Sequence, residues 1–102
     1  MAETGVKLWA VEGGSGSPTL VLLHGLGANA DVWEGMKPLV RQEWPGRWVI
    51  PDLRGHGRSG HREPYGYAGH AADIAALLSQ HEDVVVVGHS MGGIVGVALA
   101  TG

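Results

Sequence analysis

Four consecutive valines, Val84–Val87, run into Gly88-His89-Ser90-Met91-Gly92-Gly93, and no other feature of the chain narrows its possible folds as far. An unbroken β-branched run is stiff at χ1 and unfavourable in a helix interior, so Asp83–Gly88 reads as a strand. The small residues of Gly92–Thr101 (GGIVGVALAT) read as a helix able to lie close against a sheet. A strand that turns within three residues into such a helix is the basic step of an alternating α/β architecture.

The same pattern recurs upstream. Thr19–His24 (TLVLLH) is apolar for the length of a strand, as expected of a strand covered on both faces, and it breaks at Gly25-Leu26-Gly27. Val6–Val11 reads as a modest, partly alternating strand and Trp48–Pro51 as a short one. Asp31 is placed to cap a helix running to about Arg41, with Val32, Trp33, Met36, Leu39 and Val40 on one stripe. Pro38 within that stripe predicts a kink or an early end. Tyr67 to about Gln80 reads as a second helix, with Ala71, Ile74, Ala75 and Leu78 at helical spacing. The order β-β-α-β-α-β-α predicts an α/β fold: a mostly parallel sheet of about four strands with helices on both faces, one partial domain over residues 1–102. Sites in such sheets form at the carboxyl ends of the strands. The chain's 18 glycines concentrate in the segments that fall there.

Composition excludes several alternatives. The net charge is −3, and the seven Lys and Arg residues are scattered, so neither nucleic acid nor an anionic membrane is expected as a partner. The chain has no cysteine, which removes disulfides and thiolate metal sites. No apolar run approaches a membrane span, and the polar start MAETGVKLWAVEGG does not resemble a signal peptide, so a cytoplasmic location is expected. The histidines show no paired metal-ligand spacing. His61, His70 and His81 fall in polar loop or helix-edge contexts, and neither a metal nor a cofactor is expected.

The chemistry concentrates at Ser90. G-x-S-x-G is the nucleophile elbow, a tight turn that lifts a serine hydroxyl above the sheet. With 18 glycines and five serines, chance gives about 0.15 matches to the bare pattern, so its setting between a valine strand and a small-residue helix carries the weight. Gly88 and Gly92 are the flanking positions where a side chain would collide with the turn, and His89 is a packing neighbour of the nucleophile. The Met91 backbone N–H, at the start of the helix, faces a developing oxyanion. The loop after the TLVLLH strand supplies the second donor, which places it at Leu26, with Gly25 and His24 supporting that loop.

Taken together, His24-Gly25-Leu26-Gly27, Asp52-Leu53-Arg54-Gly55-His56-Gly57-Arg58-Ser59 and Gly88–Gly93, in this order and spacing, resemble the α/β-hydrolase fold superfamily, in its serine esterase, haloperoxidase-like and lipase-like branch. The resemblance covers about Val6 to Gly102, the N-terminal half of that fold. It implies hydrolysis of a small ester-like substrate through an acyl-serine intermediate. It also implies that Asp52 and His56 sit in a structural loop and carry no chemistry.

In this fold the triad acid and histidine follow the serine, whereas Met91–Gly102 holds neither. The chain alone is therefore expected to be inactive or nearly so. Its valine strand is expected to form an open edge prone to self-association or complementation. A histidine contributed by another copy would be His24. Two further readings compete. One is a non-catalytic binding or scaffolding module that keeps the elbow as architecture. The other takes Gly25–Ala30 as a G-x-G-x-x-A dinucleotide fingerprint with Asp52 as the ribose-binding acid. That reading is weakened by the 27 residues between Gly25 and Asp52, by the bulk of Trp33 and Met36, and by leaving Gly88–Gly93 unexplained.

Overall fold

The apolar runs become the strands of a single sheet in a computed structural model of the chain, in which residues 6–63, 65–81 and 83–101 are described. The strands are β1 (Ala10–Gly13), β2 (Thr19–Leu23), β3 (Trp48–Pro51) and β4 (Val84–Gly88), in the spatial order β1-β3-β2-β4. β2 runs parallel to both β3 and β4, while β1 is antiparallel to β3. β2 is buried over its whole length and so is β3, as their unbroken apolar sequences require.

The side chains of β2 divide between two cores. Leu20 and Leu22 join Trp48, Ile50, Ala30 and Val40 beneath a 3₁₀ helix (Ala30–Met36) and α1 (Lys37–Glu43). Val21 and Leu23 join Ile74, Leu78, Met91 and Val95 beneath α2 (Tyr67–Leu77) and α3 (Met91–Thr101). Helices therefore cover both faces of the sheet.

β4 shows where that cover stops. Its register sets Val85 beside Leu20 and Val87 beside Leu22, on the face that α1 covers only over β2 and β3. Val85 and Val87 consequently stay 43% and 41% exposed, while Val84 and Val86 pack towards α2 and α3. Among the described residues β4 pairs with β2 alone, so its other side is the open edge that the sequence predicts. No helix among the described residues is long and apolar enough to cross a membrane.

Three local readings need correction. The first strand starts at Ala10, not Val6, because the backbone before it is bound to the loop after β3. Gly60 N donates to Lys7 O at 3.0 Å, and Trp9 N to Ser59 Oγ at 2.8 Å. The predicted helix from Asp31 is two pieces. Pro38 sits in the first turn of α1, where its missing N–H and fixed φ are tolerated, so the chain restarts a helix there instead of bending one. The N-cap is Asn29, whose Oδ1 accepts from Asp31 N at 2.9 Å. α2 ends at Leu77, short of Gln80.

The connections place a crevice. From β2 the chain passes to the 3₁₀ helix and α1 on one face, and from the adjacent β4 it passes to α3 on the other. Parallel strands whose connections leave to opposite faces open a crevice at their carboxyl ends, the usual ligand site of such sheets. Its two banks are the segments after Leu23 and after Gly88.

Candidate active site

Ser90 stands on one bank. Its φ is +56°, and it is the only described residue other than glycine with a positive φ. Left-handed backbone in a residue with a side chain costs about 1–2 kcal/mol, so the surrounding packing must impose it. That packing is visible at the flanking glycines. A side-chain carbon on Gly88 would overlap the backbone of Gly92 and Gly93, and one on Gly92 would overlap the carbonyls of Leu23 and His24. Strand end, helix start and the neighbouring strand are thus pressed together, and Ser90 is pushed outwards at the apex, exposed. His89 is exposed too, and its N–H donates to Leu23 O at 3.0 Å, locking the elbow to β2.

The opposite bank is His24–Gly27. A Cβ built on Gly25 would lie 3.4 Å from both Ser90 Cβ and His89 O, which measures how closely the two banks approach. Gly25, Leu26, Ala28, Val32, Trp33, His89 and Ser90 enclose a cavity of about 360 Å³. The Leu26 side chain is exposed, whereas the Met91 side chain is buried in the α2–α3 core. Among the described residues neither the Leu26 nor the Met91 amide has a hydrogen-bond partner.

His24 is fully buried below this bank. Its Nδ1 lies 2.7 Å from Gly25 O, and its Nε2 accepts the Leu53 N–H at 2.9 Å. A carbonyl only accepts and an amide only donates, so one tautomer, protonated at Nδ1, satisfies both bonds. Burial is the main cause that pushes the His24 pKa down, with the bond to Gly25 opposing it. The ring is thus neutral with both nitrogens occupied, and it cannot serve as a base for another copy, contrary to that sequence reading.

Asp52 anchors the loop after β3. Its buried carboxylate accepts from Ala30 N at 2.7 Å, from Arg58 N at 2.8 Å and from Arg58 Nε at 2.9 Å. Burial alone would raise its pKa, but the bonds from Arg58 and Ala30 outweigh it and hold the carboxyl below the usual carboxylate range. With its oxygens so engaged, Asp52 cannot bind a ribose, and the dinucleotide reading fails. Arg58 also lies over the Trp9 ring at 3.5 Å, tying the N-terminal segment to the loop.

Sequence reading misses other members of this neighbourhood. Arg54 forms a buried bidentate pair with Asp73 of α2, at 2.8 Å and 2.7 Å. The partners lie 19 residues apart in different elements, a spacing that carries no local signal. His70, expected in a polar helix-edge context, is instead buried, and burial foremost lowers its pKa. Its Nδ1 and the Trp33 Nε1 are buried without partners. Among the described residues no group of histidines and carboxylates is arranged to hold a metal ion.

Known proteins resemble the chain in sequence and fold. A pimeloyl-[acyl-carrier protein] methyl ester esterase of Edwardsiella ictaluri is 39% identical over 82 residues, covering 80% of this chain and 30% of its own. Lipase LipV of Mycobacterium tuberculosis is 38% identical over 90 residues, covering 86% and 33%. Among solved structures, an esterase of Exiguobacterium antarcticum superposes with a TM-score of 0.88 at 32% identity, over 98% of this chain and 38% of that one. The chain thus spans about a third of the length of these relatives and corresponds to the N-terminal part of their fold. Other structural neighbours include epoxide hydrolases. A profile of the Alpha/beta hydrolase family matches residues 20–102. By sequence, by fold and by the geometry of its elbow, the chain belongs to the α/β-hydrolase family.

Proposed function

We propose that the chain carries the nucleophile and oxyanion hole of a serine hydrolase that cleaves small carboxylic esters. The observation that carries this reading is Ser90 itself, an exposed serine held at φ +56° beside the unpaired amides of Leu26 and Met91. Esterases and lipases among the relatives support an ester as the bond cleaved.

In the proposed reaction Ser90 Oγ attacks the ester carbonyl, and the Leu26 and Met91 N–H groups receive the developing oxyanion. The alcohol leaves and water then releases the acid from the acyl-serine. Oxyanion donors act because they are fixed before charge develops, and losing one typically costs about 2.7–4 kcal/mol of transition-state stabilisation. Gly25, Gly88, His89 and Gly92 shape the two banks, and His24 holds the Leu26 loop by joining Gly25 to Leu53. The proton of Ser90 requires a histidine, and no described ring bonds to it. We assign the acid and the base to the two thirds of the relatives' length that this chain does not span, which makes the 102-residue chain by itself a poor catalyst.

A fluorophosphonate probe tests the assignment. Joined to the part of the domain that supplies the acid and the base, the protein should become labelled at Ser90, and Ser90→Ala should abolish labelling. Undiminished labelling of Ser90→Ala would place the reactive group elsewhere and favour the reading of the elbow as architecture in a binding module.

A further inference from the structure

The turn that carries Leu26 is closed by one hydrogen bond, from Ala28 N to Gly25 O at 3.2 Å, with Gly27 at a φ of +77°. The Leu26 side chain is exposed and packs into no core cluster. A backbone N–H stabilises a developing charge only if its direction is fixed beforehand, so this turn has to be held from outside. Two adjacent residues after β3 hold it. Leu53 N donates to His24 Nε2 at 2.9 Å before the turn, and Asp52 Oδ1 accepts from Ala30 N at 2.7 Å after it. Among the described residues no other hydrogen bond joins the backbone of Gly25–Ala30 to another element.

The Asp52 end is itself fixed on both sides. The carboxylate is fully buried, and its Oδ2 accepts from Arg58 N at 2.8 Å and from Arg58 Nε at 2.9 Å. Arg58 Nη2 reaches Oδ1 at 3.3 Å. An ionised carboxylate only accepts and each of these neighbours donates, so the plane of the group is set, and with it the direction of the Ala30 bond. Gly57 closes the remaining space. A Cβ there would overlap Asp52 Oδ2 and lie 3.0 Å from Asn29 Cβ. Apolar side chains of similar volume often stabilise a core as well as a buried charge does. What the carboxylate adds is an acceptor of fixed direction.

We propose that Asp52 is a positioning residue of the oxyanion hole, aligning the Leu26 N–H with Ser90 through Ala30 while Leu53 and His24 fix the other end of the turn. This role rests on the reading of Ser90 as nucleophile and Leu26 as donor. It makes the two donors physically independent. Leu26 depends on the loop after β3, whereas Met91 stands at the start of α3, on an elbow tied to β2 by the bond from His89 N to Leu23 O.

The test uses the protein joined to the part of the domain that supplies the acid and the base. An aryl trifluoromethyl ketone is the probe, because its adduct with Ser90 places an oxyanion in the hole. The Leu26 and Met91 amide resonances are followed by ¹H–¹⁵N correlation spectra, and both should move downfield when the adduct forms. Asp52→Asn keeps the size of the side chain but replaces one acceptor by a donor. It should lose most of the Leu26 shift and keep the Met91 shift. It should also lower kcat for 4-nitrophenyl acetate about 10–100-fold, with KM changed by less than about twofold. Arg58→Met, at a side chain 41% exposed, should give the same pattern with a several-fold loss, and it guards against a folding defect in the first variant. A folded variant that keeps both the Leu26 shift and kcat overturns the proposal. Equal loss of the two shifts also overturns it, since a merely structural defect would disturb both donors. An adduct on Ser90 with unchanged variants removes only the positioning role, whereas no adduct on Ser90 removes the nucleophile reading and the positioning role with it.

Discussion

At Ser90, backbone strain falls on the residue proposed as the nucleophile. Its positive φ is imposed by the overlap-limited contacts of Gly88 and Gly92, so a residue without a Cβ would relax there. Ser90→Gly should therefore raise the unfolding free energy by about 1 kcal/mol, the relief of left-handed strain less the added entropy of the unfolded chain. It should abolish phosphonate labelling at the same time. Chemical denaturation of the two proteins checks this, and a Ser90→Gly variant less stable than the parent would show that the elbow is unstrained. The position was legible because G-x-S-x-G is itself a steric statement, encoded in five adjacent residues. His70 was not legible. Nothing in GYAGHAADI distinguishes a solvated histidine from a buried one, and its ring is packed beside His56 of the loop after β3, far away in sequence.

Between elements, the loop after β3 is held by a few buried polar contacts. The Arg54–Asp73 pair joins it to α2, and Asp52 joins it to the 3₁₀ helix through Ala30 N. Removing one member of a buried pair strands the other charge, which costs about 3–5 kcal/mol. Asp73→Ala should destabilise the protein by that amount, whereas Arg54→Met with Asp73→Leu should recover most of it. Thermal melts of the three proteins test this, and equal losses in the single and double variants would contradict it. The strands were readable because an apolar run has the same meaning wherever it lies. The helix from Asp31 was misread because its stripe runs unbroken through Pro38, and the side-chain pattern cannot show that the backbone restarts there. The first strand was misplaced for a related reason. Val6–Trp9 has strand-like residues, but the backbone of Lys7 and Trp9 bonds to Asp52, Ser59 and Gly60, in the loop after β3.

For the whole molecule, the sheet order assembles the site and leaves one side unfinished. β2 lies between β3 and β4, so the two glycine-rich turns that follow β2 and β4 face each other across the switch in direction. The mostly parallel sheet with helices on both faces was foreseen from alternation, but the order β1-β3-β2-β4 was not, and the approach of Gly25 to Ser90 follows from that order. At the far side β4 has no second strand partner among the described residues, and it presents the half-exposed Val85 and Val87 and an apolar groove of about 700 Å³ between α2, α3 and β4. An edge of this kind pairs readily with other chains. The 102-residue chain should self-associate in a concentration-dependent manner, and Val85→Lys with Val87→Lys should suppress this by placing charge on the exposed face. Sedimentation analysis decides it, and a monodisperse monomer before substitution would refute the expectation.

The central claim is that Ser90 carries the acyl group. It is tested most directly on the protein joined to the part of the domain that supplies the acid and the base, by quenching it in acid during reaction with 4-nitrophenyl acetate and locating the acetyl group by peptide mass spectrometry. An acetyl ester on Ser90, absent from Ser90→Ala, is the predicted result. An acetyl group on any other residue, together with unchanged 4-nitrophenol release by Ser90→Ala, would contradict it.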